Sequence, residues 1–129
     1  MKKILIIDDE EDIREVAAMS LELSAGWEVL TAAGGEAGFE KARNEHPDAI
    51  LLDVMMPVMD GPATFKKLHS DPATAGIPVL FLTAKQQVQE KRRLAEAGVA
   101  GILAKPFDPM MLADQVKEAL GWSESPTTS

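Results

Sequence analysis

Ala49-Ile50-Leu51-Leu52-Asp53-Val54-Met55-Met56-Pro57-Val58-Met59-Asp60-Gly61 sets four uninterrupted apolar residues in front of an aspartate and closes on an Asp-Gly pair. A short apolar run without alternation suits a strand covered on both faces, as the central strands of parallel sheets are. Asp60 is placed to cap a helix over 61–70, in which Phe65, Leu68 and His69 are spaced for one face. The stretch therefore reads strand, loop, helix, with Asp53 at the carboxyl end of the strand.

The same unit recurs on either side. Apolar runs at Lys3 to Ile7, Glu28 to Ala32, Val79 to Leu82 and Gly101 to Ala104 alternate with segments of helical periodicity, the pattern of βαβ units around a parallel sheet. Ile13, Val16, Ala17 and Leu21 predict one buried stripe, and Leu112, Val116, Ala119 and Leu120 predict another near the C-terminus. Segments 36–46 and 86–97 read as helices with weaker stripes, and Pro47, Pro78 and Gly98 punctuate their surroundings. The expected fold class is α/β: a (βα)5 arrangement with right-handed crossovers and helices on both faces. One domain over 1–121 is expected, followed by a short polar tail, 122–129, that frays.

Length and composition agree. At 129 residues, 46% of them hydrophobic and 26% charged, the chain is long enough for one real core and too short for two. With no cysteine, disulfide frameworks, thiolate metal sites and cysteine nucleophiles are excluded. The apolar run after Lys2 and Lys3 stops after four residues, too few for a signal peptide or a membrane span; the expected setting is the cytoplasm, with no membrane partner. A net charge of −8 and a pI near 4.7 argue against direct nucleic-acid binding, which leaves a basic footprint.

In an open parallel sheet, ligands bind beyond the carboxyl ends of the strands. Asp8 and Asp9 end the first strand, Asp53 the third, Thr83 the fourth and Lys105 the fifth. Taken singly, each has an ordinary reading: Asp9 or Asp12 could cap the first helix, Thr83-Ala84 another, and Lys105 could be a solvated charge. Taken together, three converging carboxylates repel one another unless a cation is present or their pKa values rise. Oxygen-only donors suit Mg2+, and the absence of histidine from these strand ends counts against zinc. His46 is read as surface and His69 as helix-face packing or surface.

The strings 4–10 (Ile-Leu-Ile-Ile-Asp-Asp-Glu), 51–61, 81–84 (Phe-Leu-Thr-Ala) and 104–107 (Ala-Lys-Pro-Phe), in this order and spacing, resemble the receiver domain of response regulators, the phosphorylated half of two-component signalling systems. The resemblance covers positions 3 to 120. It implies a flavodoxin-like three-layer sandwich with strand order 2-1-3-4-5. It also implies a phosphoacceptor at Asp53, with Asp8, Asp9, Asp53 and the backbone carbonyl of Met55 holding Mg2+ or Mn2+. Thr83 and Lys105 are implied to contact phosphoryl oxygens, with a cis peptide between Lys105 and Pro106. A sensor histidine kinase or a histidine phosphotransfer protein is the implied donor. The chain is then no enzyme of its own; it supports its own phosphorylation and dephosphorylation and acts as a monomer or weak dimer on a protein target. Family members carry an aromatic residue three positions before the lysine, where this chain has Ile102, and it contains no tyrosine. A smaller or differently built rearrangement is expected of the face made by 86–97, the fifth strand and the last helix. Met55 and Lys85, two positions beyond Asp53 and Thr83, would flank the phosphoryl group and tune water access; surface loop packing is the plainer reading of both.

Other classes share parts of the pattern. Metal-dependent hydrolases with an aspartyl nucleophile resemble an Asp-x-Asp after the first strand, whereas here the two carboxylates are adjacent and Asp53 sits on the third. A nucleotide or flavin module would use a glycine-rich turn, but 33–38 (Ala-Gly-Gly-Glu-Ala-Gly) follows the second strand and does not spell G-x-G-x-x-G. A switched-off relative would have lost part of the set at 8, 9, 53, 83 and 105.

Overall fold

Nine elements follow one another in the computed structural model, which describes residues 2–84 and 98–122. They are β1 (Lys3–Ile7), α1 (Glu11–Ala25), β2 (Glu28–Ala32), α2 (Gly35–Glu45), β3 (Ala49–Asp53), α3 (Gly61–Ser70), β4 (Val79–Ala84), β5 (Gly101–Lys105) and α4 (Leu112–Leu120). The helix expected over 86–97, the position of Lys85 and residues 123–129 lie outside the described residues.

All strands pair in parallel, in the order β2-β1-β3-β4-β5. The chain steps outward from β1 to β2, then crosses back over β1 to β3. The carboxyl ends of β1 and β3 therefore flank the point where winding reverses, the place where sheets of this kind open a crevice.

Because successive strand residues face opposite ways, each central strand feeds two cores. Ile4, Ile6, Leu51, Leu80 and Leu82 pack with Ala17 and Leu21 of α1 and with Leu112 and Val116 of α4. Leu5, Ile7, Ile50, Leu52 and Phe81 pack on the other face with Phe39 of α2 and Phe65 and Leu68 of α3. Each fully buried aliphatic side chain contributes about 1.5–3 kcal/mol, so the sheet that carries the strand-end residues is held rigidly from both sides.

Local details depart from the sequence reading in instructive places. Neither Asp9 nor Asp12 caps α1: Glu10 stands at the N-cap and its side chain makes no capping bond, and Asp8 reaches forward to accept from the Glu10 N–H at 2.9 Å. In α1, Val16 is exposed and Ser20 is buried, since the Ser20 hydroxyl donates to the Pro109 carbonyl and turns the buried stripe toward α4. Asp60 does cap α3, accepting from Ala63 N–H at 2.9 Å. Trp122, grouped with the polar tail by the sequence reading, instead meets the buried Trp27 edge-on, ring centroids 5.5 Å apart.

Candidate functional site

β3 and β5 extend one residue further than their apolar runs, and β4 two, so that Asp53, Thr83 and Lys105 belong to the strands themselves. The register sets Ala84 beside Lys105, Thr83 beside Ala104 and Asp53 beside Leu82. Backbone pairing thereby brings the three residues to one edge without help from loops. Asp8 follows β1 directly, and its N–H bonds the Ala32 carbonyl at 3.1 Å, which carries the β1–β2 ladder one step beyond the apolar run.

Asp8, Asp9 and Asp53 come together closely enough that one carboxylate oxygen from each lies within 4.8 Å of the others. Asp8 and Asp53 are buried, at 0% and 3% exposure, and Thr83 is buried as well, whereas Asp9 opens to solvent. The Lys105 ammonium bridges the pair, donating to Asp8 Oδ2 at 3.0 Å and to Asp53 Oδ1 at 3.1 Å. The Lys105–Pro106 peptide is cis.

The charges do not balance. Burial, and then the neighbouring Asp8, push the Asp53 carboxyl up from 3.8 to about 6, against the opposing pull of Lys105. Burial alone would lower the Lys105 pKa, but the hydrogen bond and charge of Asp8, together with Asp53, outweigh it and raise the value. Among the described residues the cluster thus keeps its lysine charged and carries an excess of negative charge. Oxygen donors only, this close together and short of positive charge, form the donor set a hard divalent cation takes.

The loop from Asp53 to α3 is tightly constrained. A Cβ on Gly61 would stand 2.5 Å from the Asp53 carbonyl oxygen and 2.7 Å from Val54 Cα, and the Gly61 N–H donates to the Val54 carbonyl at 2.9 Å. Only glycine allows this approach. Within the loop, the Met59 N–H bonds the Pro57 carbonyl at 2.7 Å across Val58, whose φ is 67°. This is a γ-turn with positive φ, a strained form, and here a β-branched residue occupies its centre. Strain of this kind costs on the order of 1–3 kcal/mol and concentrates at functional sites. Met55, at the start of the loop, has an exposed side chain.

Ile102 sits on β5 opposite Phe81, half-buried against the core of the α2 and α3 face. His46 is exposed at the end of α2, and His69, also exposed, stacks on Phe65 with centroids 5.6 Å apart; neither approaches the crevice as part of the cluster.

Two contributors went unrecognised in the sequence. The Lys105 ammonium also reaches Glu10 Oε1, at 3.3 Å, and the Arg14 guanidinium donates to the Asp8 carbonyl at 2.7 Å. Glu10 adjoins the paired aspartates, which is the signal that could have raised it. Arg14 lies six residues from Asp8, and only the turn into α1 brings the two together.

The description "Response regulator receiver domain" matches residues 4–117. The chain is 42% identical over 123 residues to the alkaline phosphatase synthesis transcriptional regulatory protein PhoP of Bacillus subtilis, covering 95% of this chain and 50% of that protein. It is 38% identical over 130 residues to the phosphate regulon transcriptional regulatory protein PhoB of Pseudomonas aeruginosa, covering 97% of this chain and 56% of that one. The chain therefore spans about half the length of these curated relatives. Among solved structures it is similar to the chemotaxis protein CheY4 of Vibrio cholerae, with a TM-score of 0.84 at 34% identity, over 92% of this chain and 98% of that one.

Proposed function

The chain belongs to the response regulator receiver domain family, and from that premise we propose that Asp53 accepts a phosphoryl group and that the resulting charge switches binding to a partner protein. The observation that carries this reading is the Lys105 ammonium bridging the buried Asp8 and Asp53 carboxylates at the winding reversal of the sheet. A carboxylate so placed is a nucleophile, and a lysine so placed lies within reach of a phosphoryl oxygen that arrives there.

In the proposed step, an Asp53 carboxylate oxygen attacks phosphorus. The new O–P bond forms as the bond to the donor's imidazole nitrogen breaks; that nitrogen keeps the electron pair and takes a proton from solvent. Lys105 donates to one phosphoryl oxygen and the Thr83 hydroxyl to another, which fixes the group in line with its leaving atom. Asp8, Asp9, Asp53 and the Met55 carbonyl would hold Mg2+ or Mn2+, which when bound neutralises charge on the phosphoryl oxygens. The Met55 side chain, which is exposed, is proposed to limit the approach of hydrolytic water to the aspartyl phosphate.

The donor is proposed to be the phosphohistidine of a sensor kinase or phosphotransfer protein in the cytoplasm, docking over α1 beside the acidic edge, where Val16 and Met19 are exposed. Output is proposed through the β5 and α4 face, with Ile102 in place of an aromatic switch and the chain acting as a monomer or weak dimer. The DNA-binding or regulatory activities that the relatives' names state are theirs.

Incubation with acetyl phosphate, with and without Mg2+, followed by intact mass tests the reading. A Mg2+-dependent gain of one phosphoryl group that vanishes in Asp53→Asn is expected. No gain under any condition overturns it, and turnover of a small phosphate ester would favour a hydrolase instead.

A further inference from the structure

An ammonium group has three N–H donors, and Lys105 uses all three: Asp8 Oδ2 at 3.0 Å, Asp53 Oδ1 at 3.1 Å and Glu10 Oε1 at 3.3 Å. The three acceptors differ in what it costs to release them. Asp8 and Asp53 are buried, so loss of the lysine would strand a carboxylate away from water. The Glu10 side chain is 61% exposed, and water can replace the lysine there at small cost. Its backbone does not share that freedom, because the Glu10 N–H is tied to Asp8 Oδ1 at 2.9 Å. The carboxylate is thus tethered at the rim of the crevice, able to leave the lysine and to return to it.

A phosphoryl group arriving at Asp53 needs a donor from Lys105, and none is spare. We propose that Glu10 is a positioning residue that competes with the incoming phosphoryl group: it occupies the third Lys105 donor in the resting site and yields it to a phosphoryl oxygen during transfer. This rests on the reading of Asp53 as acceptor and adds to it a residue that sets how readily the site admits a donor. Because Glu10 acts on entry of the anion and not on the bond-making step, its influence falls on the donor concentration needed for half-maximal rate and spares the maximal rate.

Glu10→Ala and Glu10→Asp separate contact from charge. Aspartate keeps the charge but is one methylene short of the lysine. Under the proposal both variants lower the half-saturating acetyl phosphate concentration by up to about fivefold, the range of an exposed ion pair, with the maximal rate unchanged. Glu10→Gln, which keeps an acceptor without the charge, falls between them and the parent. The same substitutions have no effect in a Lys105→Ala background. If Glu10→Asp behaves like the parent while Glu10→Ala does not, or if the effect persists without Lys105, Glu10 acts only as a local charge and the proposal fails.

A second readout needs no phosphoryl donor. Competitive acylation by acetic anhydride, with the exposed Lys66 as internal reference, should modify Lys105 faster in Glu10→Ala and Glu10→Asp than in the parent. Equal labelling in all three also overturns the proposal. A parent that is phosphorylated at Asp53 and indifferent to Glu10 sinks this inference alone; a parent that is never phosphorylated sinks the acceptor reading, and the competition with it.

Discussion

At the amino-terminal edge of the sheet, the Lys3 backbone N–H bonds Asp48 Oδ2 at 2.7 Å and its ammonium stands 3.6 Å from Glu45, while Trp122 closes on Trp27. At the carboxyl-terminal edge, Lys105, 13% exposed, faces Asp8, Asp53 and Glu10. The first edge keeps its charges in water and its aromatic surface buried, so each group sits where its own solvation is cheapest. The second buries two carboxylates against one ammonium, and the Asp53 pKa is raised. One sheet can support both because the strain is confined to a few residues, while the strands beneath are packed alike.

Removing the lysine is the largest way to break the balance of the second edge. Lys105→Met at pH 7, in the presence of a metal chelator, leaves Asp8 and Asp53 buried without a counter-charge and is expected to destabilise the fold by about 3 kcal/mol. Urea unfolding checks this. The loss should shrink toward pH 4.5 as Asp53 takes up a proton, whereas a loss independent of pH would mean that Lys105 stabilises through packing of its stem.

A smaller effect of opposite sign is expected at Asp53. Its carboxyl titrates near 6 in the fold and near 3.9 in an unfolded chain, so between these values the folded state binds more protons. Stability must then fall as pH rises from about 4 to about 6. Asp53→Asn removes the charge that causes this. In chelator the variant should be more stable than the parent at pH 7, by on the order of 2 kcal/mol, and the two should converge below pH 4. Adding Mg2+ at pH 7 should raise the melting temperature of the parent and leave the variant nearly unmoved. A variant less stable than the parent at pH 7 would show that Asp53 is held by more favourable contacts than its burial suggests.

The contrast between the edges also explains what could be read from the chain beforehand. Apolar runs such as Ala49 to Leu52 and cap signals such as Asp60 are local, and they placed the five strands, α2 and α3 to within a residue or two. The strand ends were legible for the same reason: parallel pairing sends every carboxyl terminus to one edge, so Asp8, Asp53, Thr83 and Lys105 arrive at that edge together. What escaped depends on tertiary direction. Ser20 is buried in place of Val16 because the Pro109 carbonyl lies across from it, 89 positions along the chain. Gly61 is required by the Asp53 carbonyl, a contact that no periodicity encodes. Glu10 reaches a lysine 95 positions away, a separation that no local pattern spans. Trp122 looked like the first residue of a tail because its partner, Trp27, lies at the far end of the sequence.

The smallest expected effect tests whether the two edges are independent. Lys2 places its ammonium 4.5 Å from the centroid of the Trp122 ring, a cation–π contact worth about 0.5–1 kcal/mol at a partly exposed site. Lys2→Ala should cost no more than that in urea unfolding. β1 runs five residues from Lys3 to Ile7, which separates Lys2 from the acid cluster by roughly 17 Å at about 3.3 Å per residue. Substitutions so far apart, with no shared partner, add within about 0.5 kcal/mol. The double variant Lys2→Ala, Asp53→Asn should therefore show the sum of its parents, and the Lys2→Ala cost should be the same at pH 4.5 and pH 7. A coupling of 1 kcal/mol or more would mean that charge at Asp53 is transmitted along β1 to the aromatic edge, and that the rigid sheet is itself part of the switch.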